Sequence, residues 1–255
     1  MSATFGATLV EVIPAMREMM KARQREGSRR AIFLSLYMSV TDAIGQRVRE
    51  GGFQDPVWVE RYGVAFANLY LRAVDSYASG TWTPKAWRRA FDCADNRSAL
   101  VLQDLLLGVN AHINHDLALA LIEAGIDDRR DERYADHTSV NAVLESLTNQ
   151  AQQQIAEAYA PGLANFDVLG GDVDEMVAGF SIARAREHAW AVALSLANAR
   201  SPFERKLILR GLDVQADVLS RQILIPGTTA AGRKAWAALE QAPSVLDLAT
   251  KGFRL

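Results

Sequence analysis

The chain has 255 residues, a formal net charge of -2, 49% hydrophobic residues and 23% charged residues. This balance is typical of a soluble globular protein and argues against a dedicated nucleic-acid binder, which usually has a strongly basic surface. The single cysteine, Cys93, excludes an intrachain disulfide and favours a reducing, cytoplasmic location. No membrane partner is expected, because no apolar run reaches the roughly 20 residues of a membrane span and the N-terminus lacks the pattern of a secretory signal.

Apolar residues recur at helical spacing along most of the chain, and no strand-like alternation of useful length appears. Gly, Pro and Ser residues mark where the predicted helices begin and end. The predicted helices cover about residues 8–26, 28–50, 56–78, 84–93, 98–124, 138–160, 172–199 and 201–223, with a last short helix at 230–240. The charged segment 126–137 is predicted to be an exposed loop.

The fifth predicted helix, residues 98–124, is apolar on almost all sides. A helix of this kind lies at the centre of a bundle. Together with the short links between helices, it predicts an all-α fold: a single-domain multi-helix bundle, residues 1–255, of about eight helices around a central apolar helix.

The central helix carries a cluster of polar residues that an apolar helix must either pair or use for binding. The segment Asn110-Ala111-His112-Ile113-Asn114-His115-Asp116 holds two of the four histidines. His112, His115 and Asp116 lie three or four residues apart and can share one helix face. Two imidazoles and a carboxylate suit a zinc, iron or manganese site, or an acid–base site without metal.

Other polar residues lie in apolar surroundings on other predicted helices, and a bundle can direct such groups to one internal point. Asp75 is a further catalytic candidate, although a buried ion pair with Arg186 would explain both residues. For Asn110 and Asn114, a structural role that links neighbouring helices is favoured over contact with a substrate. The candidates for substrate binding are Asn68, Asn110, Asn141 and Arg186.

The chain resembles the uncharacterised bacterial DUF5995 family over roughly residues 30 to 225. The resemblance lies in the strings Phe66-Ala67-Asn68-Leu69-Tyr70, Val74-Asp75, Asn110 to Leu117, Val140-Asn141 and Ala185-Arg186-Glu187 with Trp190. It implies an all-helical domain of unknown activity. It also makes His137 and His188 weaker ligand candidates, because the family pattern commonly has an aromatic and a small residue there. Asp136 fits that pattern better.

Three functions remain open from the sequence. The first is a metal-dependent enzyme, a hydrolase or oxygenase, with a divalent ion on His112, His115 and Asp116. The second is a metal-free cyclase or isomerase in which a histidine moves a proton in a small, largely apolar substrate. The third is a non-catalytic protein that binds a ligand and uses the polar cluster as a core network. The first two predict a small-molecule substrate.

Overall fold

This computed structural model describes residue 6, residues 8–126, 129–159 and 181–225, and residue 234, with the backbone alone described for 147–159. The described residues form helices and no strands, which confirms the all-α prediction. The helices are α1 (Leu9–Arg25), α2 (Arg30–Arg49), α3 (Pro56–Ala78), α4 (Lys85–Asn96), α5 (Val101–Ala111), a π-helical turn (His112–Asp116), α6 (Leu117–Ala124), α7 (Arg130–Tyr159), α8 (Ile182–Ala197) and α9 (Pro202–Leu224).

Local sequence signals explain where several helices begin. The Asp55 side chain accepts a hydrogen bond from the Trp58 amide and precedes Pro56, so α3 starts with a cap followed by proline. The Ser201 side chain accepts from the Glu204 amide in the same way at α9. These signals explain why the predicted starts of both helices are correct.

The central apolar helix is confirmed as the continuous rod Val101–Ala124, made of α5, the π-helical turn and α6. Helices α2, α3, α4, α8 and α9 all pack against this rod. Contrary to the sequence prediction, the rod is long and apolar enough to cross a membrane by length and composition alone. Its apolar window is 89% buried inside the protein, as in a core helix.

The prediction of an exposed loop at residues 126–137 is wrong, because α7 begins at Arg130. Asp131 and Glu132 lie in the first turn, where negative charge stabilises the N-terminal end of a helix. Asp136 and His137, on the same segment, are buried. The segment has the charged composition of a loop, but it forms a helix with one buried face.

Two other predicted helices fall partly or wholly outside the described residues. The predicted start near residue 172 precedes the described part of that helix, which is α8. The predicted last helix, 230–240, lies outside the described residues except for Lys234, which is helical.

Gly108 is a position where the rod depends on the absence of a side chain. A Cβ atom there would lie 2.5–2.7 Å from atoms of Phe33 on α2. We expect Gly108→Ala to lower the free energy of unfolding by about 1–3 kcal/mol, because the overlap outweighs the gain in helix propensity. Urea unfolding measures this change.

Gly211 on α9 is the matched control, because a Cβ there would meet nothing within 4 Å. Gly211→Ala should raise the free energy of unfolding by about 0.5–1 kcal/mol through helix propensity alone. Equal effects at both positions would contradict the close approach of α2 and α5.

Candidate functional site

The polar cluster of the central helix lies on a π-helical turn, His112–Asp116. The Leu117 amide donates a hydrogen bond to the His112 carbonyl, five residues earlier, instead of four as in an α-helix. All five residues of the turn are buried. Single π-helical turns occur often at functional sites, because they change the direction of side chains without ending the helix.

The Asp116 carboxylate accepts hydrogen bonds from three ring N–H groups. It lies 3.3 Å from His112 Nδ1, 2.8 Å from His115 Nδ1 and 2.7 Å from Trp87 Nε1. An ionised carboxylate only accepts hydrogen bonds, so both imidazoles donate from Nδ1. The structure thus brings together His112, His115 and Asp116, and adds Trp87 of α4.

The pKa shifts fix the charges in this cluster. Burial acts to raise the pKa of Asp116, but the hydrogen bonds from His112 and His115 outweigh it and hold this pKa below its usual value. Burial lowers the pKa of His112, against the opposing effect of Asp116. At neutral pH the cluster therefore contains an ionised carboxylate beside a neutral His112 imidazole.

Five aromatic side chains surround the His112 ring. Phe66 stacks on it at a centroid distance of 3.4 Å and an interplanar angle of 9°. The other four rings present edges or tilted faces at 4.2–6.4 Å: Tyr37, Phe33, Trp87 and Tyr70. These four are buried, whereas Phe66 is half-buried. Phe66 is therefore the wall of this aromatic box that meets solvent.

His112 Nε2 is buried, and it has no hydrogen-bond partner in the part of the chain that the structure describes. Buried polar atoms in proteins are nearly always paired, so an unpaired one marks strain, a bound group or a reactive atom. Its location inside the aromatic box makes it the most unusual polar atom of the site.

A second buried cluster lies where α7 and α8 meet. Arg186 donates from Nε to Asn141 Oδ1 at 2.7 Å and from Nη2 to the His137 carbonyl. His137 Nε2 lies 3.2 Å from the Arg186 carbonyl, and Tyr62 Oη lies 3.4 Å from His137 Nδ1. Burial lowers the pKa of His137 to about 3, so this ring is neutral at ordinary pH.

A column of aromatic rings along α3 connects the two clusters. Trp58, Tyr62 and Phe66 are spaced four residues apart, and their rings stack at 5.3 Å and 6.1 Å. Phe66 covers His112, and Tyr62 reaches His137. The sequence analysis missed this column and also Trp87, although the four-residue aromatic spacing on α3 could have indicated it.

Asn110 joins the central helix to α9. Its Nδ2 donates to the Ala216 carbonyl and to Ser220 Oγ at 2.9 Å and 2.8 Å, and its Oδ1 accepts from Asn114 Nδ2 at 3.0 Å. Asn110 thus ties the central helix to α9, which is the role that the sequence favoured for it, whereas the Asn114 bond lies within the central helix.

Asn68 and Asp75 lie on α3 but are not joined to the His112 cluster. Asn68 donates to the Gly6 carbonyl at 2.9 Å. Asp75 is half-buried, and within the described part of the chain its side chain forms no hydrogen bond or ion pair. The alternative of a buried Asp75–Arg186 pair is wrong, because Arg186 turns to Asn141 and His137.

Asp136 and His188 have other partners. Asp136 accepts from the backbone amides of Gln54 and Asp55 at 2.8 Å and 2.7 Å, and so fixes the segment that leads into α3. His188 is half-buried and lies 3.0 Å from Gln215 Oε1.

No three His, Cys, Asp or Glu side chains of the described residues are arranged to hold a metal ion together. In the set His112, His115 and Asp116, the two Nδ1 atoms and the two carboxylate oxygens are directed at one another. A three-ligand site on these atoms would need this arrangement to change. The metal site stays a prediction.

A separate surface pocket of about 260 Å³ opens between α4 and α9. Its buried Asp217 is paired with Arg89 and Arg221, and burial raises the pKa of the nearby Cys93 thiol. The acidic group is therefore satisfied and the thiol is a weak nucleophile. We place the candidate site at the central helix instead.

The family model described as "family of unknown function (DUF5995)" matches residues 9–226. The chain therefore belongs to the DUF5995 family, as its sequence pattern predicted. No curated protein and no solved structure matches it. The function must accordingly be inferred from the site itself.

The neutral state of His112 and His137 predicts a fall in stability at acidic pH. In the unfolded chain both imidazoles titrate near about 6.5, whereas in the folded protein both pKa values are lower. Below about pH 6.5 the unfolded state binds more protons, so the free energy of unfolding decreases as the pH falls. Urea unfolding between about pH 7.5 and 5 measures this slope.

His137→Gln separates the two contributions. It removes one titrating ring and should reduce the acid slope of stability by about one proton. A wild-type free energy of unfolding that stays constant down to about pH 5 would show that these rings are not buried in the neutral form.

Proposed function

We propose that this protein is a metal-independent acid–base enzyme that moves a proton in a small, largely apolar substrate, with Nε2 of His112 as the atom that takes and returns the proton. The observation that supports this most is the state of His112. Its ring is neutral and buried, its Nδ1 is held by Asp116, and its Nε2 has no partner among the described side chains and backbone groups.

The Asp116–His112 pair has the geometry of a general base with its orienting carboxylate. When Nε2 accepts a proton from a substrate C–H or O–H group, the ring becomes an imidazolium and the substrate keeps the electron pair. The Asp116 carboxylate, through Nδ1–H, stabilises the new positive charge. Return of the same proton to another substrate atom completes an isomerisation or a cyclisation.

The neighbours of the pair support such a cycle. His115 and Trp87 donate to Asp116 and hold the carboxylate in place. The electron-rich face of Phe66 lies on the His112 ring, where it favours a cation. Because Phe66 is the half-buried wall of the box, we propose that substrate enters by displacing its ring.

The metal-dependent alternative has weaker support. No three His, Cys, Asp or Glu side chains of the described residues are arranged to hold a zinc, iron or manganese ion, and the Asp116 oxygens are already engaged by the Nδ1 atoms of His112 and His115. The cytoplasmic location, the small-molecule substrate and the absence of nucleic-acid and membrane partners also stay predictions from the sequence.

An exchange experiment tests the proposal without a known substrate. Purified protein is incubated in D₂O with a small-molecule extract of the native host, and mass spectrometry identifies compounds that gain deuterium or change into isomers. We expect at least one compound to change with the wild type, and at least about 100-fold less change with His112→Gln, since general bases contribute factors of this size. Added chelator should have no effect.

His188→Gln is the matched control, because this half-buried histidine lies outside the cluster and should retain the activity. Circular dichroism checks that each variant is folded. Activity that chelator removes and added zinc, iron or manganese restores would favour the metal enzyme instead. If the wild type converts nothing, or if His112→Gln keeps full activity, the acid–base proposal is wrong.

A further inference from the structure

Arg186 is a buried cation that has no carboxylate partner among the described residues. Its residue is 4% exposed. Its acceptors among the described residues are Asn141 Oδ1, the His137 carbonyl, His137 Nδ1 and the Tyr62 hydroxyl, all of them uncharged. Among the described residues no Asp or Glu forms an ion pair with it, whereas buried Arg133 lies 3.7 Å from Asp55. A buried charge is costly unless an opposite charge compensates it.

The cluster around Arg186 also has more donors than acceptors. His137 Nε2 donates to the Arg186 carbonyl, so His137 Nδ1 carries a single lone pair. Two donors, Arg186 Nη2 at 3.3 Å and Tyr62 Oη at 3.4 Å, compete for that lone pair. The Arg186 guanidinium also hydrogen-bonds to the Tyr62 hydroxyl, which acts to lower the pKa of Tyr62 against the larger effect of burial. A buried positive charge whose described acceptors are all uncharged has the chemistry of an anion site.

We infer that Arg186 and Tyr62 bind the carboxylate group of the small molecule on which the protein acts. This inference rests on the proposed function and names the substrate class: a largely apolar carboxylate. The planar guanidinium matches a planar carboxylate, and a single negative charge neutralises the single cation beside the uncharged His137.

The aromatic column on α3 relates this anion site to the reacting atom. Tyr62 borders Arg186, and the next ring, Phe66, covers His112. The carboxylate at Arg186 therefore orients the apolar part of the substrate along Phe66 towards His112 Nε2. Asn141 is a positioning residue, because it holds Arg186 Nε at 2.7 Å.

A matched set of probes tests the inference. Phenylacetate, 3-phenylpropionate and 4-phenylbutyrate are titrated into the full-length protein by calorimetry, beside their neutral amides. We expect saturable binding of at least one carboxylate, and at least about tenfold weaker binding of its amide, since hydrogen bonds to charged groups contribute that much. Arg186→Met should weaken binding by a similar factor and leave the protein stable, because it removes a buried charge.

Controls separate this inference from the proposed function. Arg184→Met makes the same charge change at an exposed position of α8 and should leave binding unchanged. His112→Gln should retain carboxylate binding even though it loses proton transfer. Binding that survives in His112→Gln while no compound is converted by the wild type would support the anion site and reject the enzyme.

Asn141→Asp gives a second variant that does not depend on Arg186→Met folding. It places a carboxylate beside Arg186 Nε, so it should raise the midpoint of thermal unfolding and abolish binding of the probe. The inference is overturned if no carboxylate binds the wild type, if amides bind as well as carboxylates, or if binding persists in both variants.

Discussion

The Asp116 carboxylate and the three N–H groups that it accepts are the interaction on which the site depends. The carboxylate is buried, and its partners come from the π-helical turn and from Trp87 of α4. With those partners the negative charge is stabilised in the core, and the orientations of His112 and His115 are set. Without them a bare carboxylate would take up a proton or unfold the centre of the bundle. Asp116 thus determines both the local stability of the site and which of its ring nitrogens carry protons.

Two buried charges of opposite sign stand at the two ends of an aromatic path. Among the described residues, Asp116 is compensated by hydrogen bonds from ring N–H groups, and Arg186 has uncharged acceptors. The rings of Tyr62 and Phe66, one helical turn apart on α3, separate them. A molecule with an anionic end and an apolar body would complement this arrangement, because it would supply the negative charge that the described residues do not place beside Arg186 and would lie with its apolar body near His112.

The sequence predicted the parts of this structure that depend on local pattern. Helical periodicity and Pro or Gly punctuation located most helices within a few residues, and the apolar character of residues 98–124 identified the central rod. The start of α7 was missed because a run of charged residues hides two buried ones, Asp136 and His137. The charged composition of this segment indicated a loop, and two buried positions are too few to show a helical periodicity in a single sequence.

The site itself was only partly predictable. Its density of polar residues at 110–116 was visible, but the π-helical turn is a five-residue hydrogen-bond shift with no strong sequence signature. Trp87 and the other aromatic side chains around His112 come from α2, α3 and α4. Their contacts with His112 depend on tertiary packing, which the local sequence pattern does not show. Asp75 was selected because it follows the apolar run Val64 to Val74, but in the structure no hydrogen bond or ion pair joins it to the His112 cluster.

The tautomer of His112 tests the account most directly. In ¹⁵N-histidine NMR at neutral pH, we predict that His112 has a protonated Nδ1 and an unprotonated Nε2. When Asp116→Asn removes the charge, the Nε2 signal should no longer be that of an unprotonated nitrogen. A His112 ring that is doubly protonated, or protonated on Nε2, would contradict the proposed base.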